Sequence, residues 1–157
     1  MARIATGNTD DALDIVQDAM FKLVEKYAGR PETEWGPLFH RILQSRIQDW
    51  HRRSSVRERF RGWLGLVDDD TDPLQQVVDE RDGDPEHLLQ TQRGIAELER
   101  IINALPIRQQ QAFLLRTLEG LDVNATARAM ACSAGSVKTH YFRAVHALRE
   151  QLGKHRP

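Results

Sequence analysis

Cysteine is almost missing: Cys132 stands alone in a chain of 157 residues, which excludes an internal disulfide and a cysteine-rich metal cluster. No apolar run approaches the roughly 18 residues that a membrane span needs. The opening MARIATGNTDD lacks the apolar centre of a secretory signal. These absences point to a cytoplasmic protein with no membrane partner, in which Cys132 is packing. No glycine-rich phosphate loop occurs. His40, His51, His87, His140, His146 and His155 do not share zinc-ligand spacing with cysteines. Asp68, Asp69, Asp70 and Asp72 could hold a divalent ion weakly but do not form an EF-hand loop. The expectation is therefore no enzyme, no catalytic residue, no metal and no cofactor. Aromatic residues make up only 6% of the chain, so an aromatic on a polar helical face is informative.

What is present is charge, unevenly placed. Net charge is −1, which alone says nothing about a polyanionic partner; the distribution does. Residues 38–63 carry seven arginines against Asp49 and Glu58. Residues 64–92 carry nine acids against Arg81. Residues 100–157 carry nine basic groups against three acids. Two basic blocks thus flank an acidic one. A hydrophobic content of 40% supports a buried core, in one medium domain or two small ones.

The stretch from Leu105 to Leu152 has the most structure in its pattern. Pro106 suits a first helical position, where its missing N–H costs nothing. The helix runs to about Leu118, with Phe113, Leu114 and Leu118 offered to a core, and Gly120 ends it. A short helix follows from about Val123 to Met130. After Ala131-Cys132 turns the chain, Ser133 caps a final helix. At 100° per residue, Val137, Tyr141, Ala144, Leu148 and Leu152 share one face of it. Ser136, Thr139, Phe142 and Arg143 point away, with Lys138 and His140 on the flanks. Two helices, a tight turn and a polar, basic outer face describe a DNA-reading helix-turn-helix. An ordinary bundle with a solvated face is the alternative, against which an outward Phe142 argues.

Nearer the N-terminus, Asn8 or Thr9 can cap a helix whose first turn holds Asp10 and Asp11. Ala12, Ile15, Val16, Ala19, Met20, Leu23, Val24 and Tyr27 cover its broad apolar face. The other face holds Asp14, Gln17, Asp18, Phe21 and Glu25. A phenylalanine in a carboxylate-amide stripe suggests a protein contact with Phe21 as anchor; packing on a neighbouring helix would also explain it. Gly29-Arg30-Pro31 breaks this helix and Pro37 starts another. There Leu38, Phe39, Ile42, Leu43, Ile47 and Trp50 can line an inner side, and Arg41, Arg46, Arg52 and Arg53 an outer one. Arginines beside Trp50 and His51 suit phosphate contact with stacking on unpaired bases, or else a solvated face. Pro85 begins a further helix reaching about Ala104, with Leu88, Leu89, Ile95, Leu98, Ile101 and Ile102.

The run EGLDVNATARAMACSAGSVKTHYFRAVHALR resembles the promoter-reading region four of bacterial RNA polymerase sigma factors, the extracytoplasmic-function group above all. DALDIVQDAMFKLVEKY and LFHRILQSRIQDWHRR resemble the two region-two helices that grip the polymerase and open the −10 element. The resemblance spans roughly residues 3–60 and 95–152. It implies an all-α fold: a region-two-like helical domain over residues 1–63, an acidic flexible linker over 64–92 and a region-four-like helix-turn-helix domain over 93–157. It implies a sigma subunit that directs transcription initiation. The implied partners are core RNA polymerase (the β′ clamp and β flap), promoter DNA and an anti-sigma factor. By this match Asp14, Gln17 and Asp18 take polymerase-contacting positions, and Phe21, on the same face between them and Glu25, is expected to join the contact. Asp49, Arg52 and Arg53 match the pattern of the −10 helix, and Arg52 and Arg53, with Arg41, Arg46 and Trp50 from the helix's own pattern, are expected to serve −10 DNA. Ser136, Lys138, Thr139, His140, Phe142 and Arg143 serve −35 DNA. The acidic linker is either a mimic of RNA in the polymerase exit path or a solubilising spacer.

The match also has departures. Gln44 and Ser45 replace a usual Arg-Asn, and Leu38 a frequent Trp. Ala131 and Thr126 replace a usual Gly and Ile. If the turn needs positive φ, Ala131 is strained there. Family members have a further helix ahead of the one near Asn8, of which only the phrase ARIATGN is seen. The expectation is that the face of Ile15, Ala19 and Leu23 loses a packing partner and stands exposed. A stand-alone helix-turn-helix regulator, or a degenerate sigma that occupies polymerase without initiating, are the competing functions.

Overall fold

A computed structural model describes residues 1–64 and 85–154. Its described residues form helices α1 (Ala2–Thr6), α2 (Thr9–Tyr27), α3 (Glu32–Leu64), α4 (Pro85–Asn103), α5 (Ile107–Thr117), α6 (Val123–Met130) and α7 (Ala134–Lys154). The fold is all-α, as expected. Most of the acidic stretch, with Asp68, Asp69, Asp70 and Asp72, lies outside the described residues.

Local signals account for most boundaries. Gly7, at φ 71°, closes α1. The Asn8 side chain accepts a hydrogen bond from the Asp11 N–H at 3.1 Å and caps α2, satisfying one of the donors a helix start leaves free. Gly120, at φ 67°, follows α5, a left-handed position where only a residue without Cβ is unstrained. Pro106 is the cap of α5 rather than its first residue.

α3 departs from expectation. It begins at Glu32, with Pro37 inside it. Past the first turn a proline forfeits one backbone hydrogen bond and its ring crowds the carbonyl four residues earlier, here that of Thr33. Here the start is fixed instead by Trp35, whose indole N–H donates to the Arg30 carbonyl at 3.1 Å. The Glu34 N–H also donates to the Pro31 carbonyl at 2.9 Å.

One apolar core joins both ends of the chain. Ala2 and Ala5 of α1, Ala12, Ile15 and Ala19 of α2, and Leu43 and Ile47 of α3 pack with Ile101 and Ile102 of α4, Leu114 of α5 and Leu148 of α7. Ile15, Ala19 and Leu23 are all buried, so the exposed apolar face expected there does not exist. α1 and α3 lie against α2 and supply its partner surface. Arg3 Nη2 donates to both carboxylate oxygens of Glu99, at 3.2 and 3.4 Å, and pins α1 to α4. The contact between α3 and α5 is partly polar. The Gln48 amide donates to Gln111 Oε1 at 3.2 Å. Gln44 Oε1 and the Gln111 amide nitrogen are buried without a partner among the described residues, each costing about 1–3 kcal/mol.

A second, smaller core lies among α5, α6 and α7, with Met1 packed against it. Ala112, Leu115, Ala129, Met130 and Val137 form it, with Cys132 and Tyr141 at its margin. Several residues expected to be buried are not. Met20 and Val24 on α2 are half exposed, as are Leu89 and Ile95 on α4 and Leu118 after α5. α4 packs against α1 and α7, and its buried apolar residues, Ile101 and Ile102, lie near its C-terminal end.

Candidate nucleic-acid and protein interfaces

The C-terminal site is built on α6, a turn and α7. Asp122 caps α6 by accepting from the Ala125 N–H at 2.7 Å. Thr126 is fully buried and its hydroxyl donates to the Asp122 carbonyl at 2.7 Å. Its polar group is therefore satisfied where an aliphatic side chain was the family expectation. Ala131 adopts φ 51°, ψ 49° and is the one non-glycine residue with positive φ among the described residues. The strain foreseen in the turn is present. Ser133 accepts from the Ser136 N–H at 3.1 Å and caps α7.

This turn sets the direction of α7. Val137 and Ala144 are fully buried and Leu148 nearly so, which turns the opposite side to solvent. Lys138, Thr139, Phe142 and Arg143 are exposed there, Phe142 with 71% of its surface free. Its ring stacks on His146 at 6.4 Å. Lys138 and Arg143 form no ion pair among the described residues. His140 is half-buried. Two hydroxyls are already engaged: Thr139 donates to the Gly135 carbonyl at 3.1 Å, and Ser136 lies 2.9 Å from the Ser133 hydroxyl. Thr139 thus offers lone pairs rather than a proton.

The five α3 residues assigned to DNA do not share one face. Arg46 is paired with Asp18 at 2.8 Å. Trp50 is half-buried against the shared core and edge-on to His51 at 5.0 Å. Arg53 lies in a groove between α2 and α3 with Arg57, Arg61, Asp11 and Asp14. Arg52 lines a second groove, with His51, Asn103 and Arg108. Arg41 lines a third, with Leu38, Arg128 and Ala131 of the helix-turn-helix. Burial holds the His51 imidazole below its ordinary pKa.

On α2, Asp14, Gln17, Asp18 and Phe21 are all exposed, and Phe21 has 68% of its surface free. Asp18 is held toward the groove by Arg46. Leu13, Met20 and Val24 are exposed beside Gln17 and Phe21, and sequence reasoning missed them. A signal was there. An apolar face reaching from Ile15 around to Val24 covers more of the helix than one neighbour can bury, so part of it must face outward.

A family model described as "Sigma-70, region 4" matches residues 95–148. The chain is 30% identical over 153 residues to the ECF RNA polymerase sigma factor SigE of Mycolicibacterium smegmatis, covering 96% of this chain and 55% of that protein. It is 29% identical over 151 residues to the RNA polymerase sigma factor SigV of Bacillus subtilis, covering 94% and 79%. Over nearly all of its length the chain is thus similar to bacterial RNA polymerase sigma factors, and it spans just over half of SigE. A solved structure, the sigma factor RpoE in complex with the anti-sigma factor NepR from Bartonella quintana, agrees in fold. Its TM-score is 0.64 at 22% identity, over 99% of this chain and 89% of that one. The family model covers α5, α6, most of α7 and the C-terminal part of α4; α1–α3 are matched by the whole-chain relatives. Among the described residues, no helix is long and apolar enough to cross a membrane, and no cluster of His, Cys, Asp or Glu could hold a metal ion.

Proposed function

We propose that this chain is a sigma factor that binds core RNA polymerase through α2 and directs initiation at promoters, with α3 acting at the −10 element and α7 reading the −35 element. The observation that carries this reading is the pairing of two free surfaces on one chain. α7 exposes Lys138, Thr139, Phe142 and Arg143, and α2 exposes Phe21 among Asp14, Gln17, Leu13 and Met20. A stand-alone DNA-binding regulator needs only the first.

On α7, Arg143 can bond a guanine edge through both N–H groups and Phe142 can meet a thymine methyl, while Lys138 serves phosphate. On α2, Phe21 is an aromatic anchor with polar groups around it, the form in which a few residues carry most binding energy. The elements' names place them about 25 base pairs, or roughly 85 Å, apart at 3.4 Å per pair. A folded chain of this length has a radius of gyration of about 15 Å. Reading both elements at once therefore requires the two units to part along their shared core. Its polar boundary at Gln44, Gln48 and Gln111 suits that.

Reconstitution with core polymerase tests the proposal. The parent chain co-purifies with core and supports transcription from a cognate promoter. Phe21→Ala weakens core binding by about 1–3 kcal/mol without changing the melting temperature. Failure to bind core would leave the stand-alone regulator. Core binding without initiation from any promoter library would leave a polymerase-occupying protein.

A further inference from the structure

The last three turns of α3 touch little of the core. From Ser55 to Trp63 every residue whose side chain is described is exposed. The exposure is unusual in kind: Val56 is 63% free, Phe60 59% and Trp63 81%. With spacings of four and three, these side chains form one line along the helix. At 100° per residue that line runs between two arginine rows, with Arg53, Arg57 and Arg61 on one side and Arg52 and Arg59 on the other. Glu58 is the lone acid in this segment. The rings of Phe60 and Trp63 lie 6.1 Å apart at 43°, so neither covers the other face-on.

We propose that this end of α3 is a stacking platform for unpaired bases of single-stranded DNA, extending the α3 contact two turns past Arg53. Water-exposed aromatic faces are costly unless something covers them. Arg52 and Arg59 on one side, and Arg53, Arg57 and Arg61 on the side that also faces Asp11 and Asp14 across the α2 groove, leave an excess of arginine beside the rings that selects a polyanion. Rings spaced along its track suit successive unpaired bases, each of which has a π-face to offer. A second copy of the chain would bring like charge against like. A duplex would give phosphates to the arginines but leave the rings without bases. The proposal rests on the sigma reading only for the source of the strand, a melted promoter; the binding chemistry is independent of it.

The test uses the full chain and a fluorescein-labelled, mixed-sequence single-stranded oligonucleotide, with its duplex form and an acidic peptide as the other probes. Anisotropy is expected to show tighter binding of the single strand than of either, with quenching of tryptophan emission. Phe60→Ala and Trp63→Ala each weaken the single-strand complex by about 5- to 150-fold, the range for losing one stacked base. Arg57→Gln lowers the slope of log affinity against log salt by about 0.7. Arg93→Gln, which removes a charge from exposed α4, changes affinity by no more than about twofold. The proposal is overturned if the ring variants bind as the parent does, if duplex or peptide binds as well as the single strand through the same rings, or if the parent binds no single strand. None of those results bears on core binding through α2, which co-purification measures separately. Because the substituted side chains are exposed, unchanged circular dichroism and melting serve as the folding control.

Discussion

α3 and α7 are both basic helices with aromatic residues among their arginines, yet they present them differently. α7 packs through one face, that of Val137, Ala144 and Leu148. Its Lys138, Thr139, Phe142 and Arg143 therefore stay together on a single free side. α3 is embraced along its first half, by α1 and α2 on one flank and by α6 on another. Its Arg41, Arg46, Arg52 and Arg53 are dealt into three separate grooves. A helical wheel forecasts a working surface only when a helix's neighbours all lie on one side of it, as α4, α5 and α6 do for α7, because a neighbour on another side claims an arc that periodicity does not mark.

The largest effect that would break this contrast comes from Ile47, which is 1% exposed in the core shared by both units. Ile47→Ala is expected to cost about 2–5 kcal/mol, with both units unfolding in one transition. Denaturation followed by probes in each unit checks it, and an intact α7 after loss of α3 would show that the cores are independent. Next is Arg143→Ala. It should lose about 1–3 kcal/mol of affinity for promoter duplex at unchanged stability. Arg46→Ala breaks only a partly exposed pair with Asp18, worth about 0–1 kcal/mol. Unchanged footprint protection in the Arg143 variant would count against a guanine-reading role.

Smaller still is Ala131→Gly. The residue stands at φ 51°, so glycine there should stabilise the fold by about 0.4–1 kcal/mol; a lower melting temperature would contradict this. The smallest effect concerns His51, whose pKa is depressed by burial in a groove shared with Arg52 and Arg108. Between the folded value and the ordinary value of 6.5, the unfolded chain binds more protons than the folded one. Stability is therefore full above about 6.5 and declines as pH falls through that window. His51→Gln should flatten the decline in melting temperature, and an unaltered slope would remove His51 as its source.

The helix-turn-helix was legible because its signals are local. Gly120 and Ser133 each act through a backbone position within one turn of themselves, and both sit where the pattern put them. The start of α3 was not, because Pro37 is compatible with both a first turn and an early interior turn; the deciding contact was the Trp35 indole on the Arg30 carbonyl. Phe21 could be picked out as an odd aromatic, whereas Leu13, Met20 and Val24 blended into an apolar arc whose excess width was the clue. Least legible was the joining of the two ends. Arg3 meets Glu99, and nothing in the spacing of either residue announces the other.

α3 runs unbroken for 33 residues, about 50 Å at 1.5 Å per residue. Ile47 near its middle and Trp63 at its tip are thus keyed to one axle. The clock position of the aromatic row relative to the core is set by nothing but the number of residues between them. One residue inserted near Ser55, where no side chain is buried, would turn the tip through about 100° and advance it about 1.5 Å while leaving every core contact in place. A second and a third would carry it through further settings, so that orientation becomes a dial that residue count alone can turn.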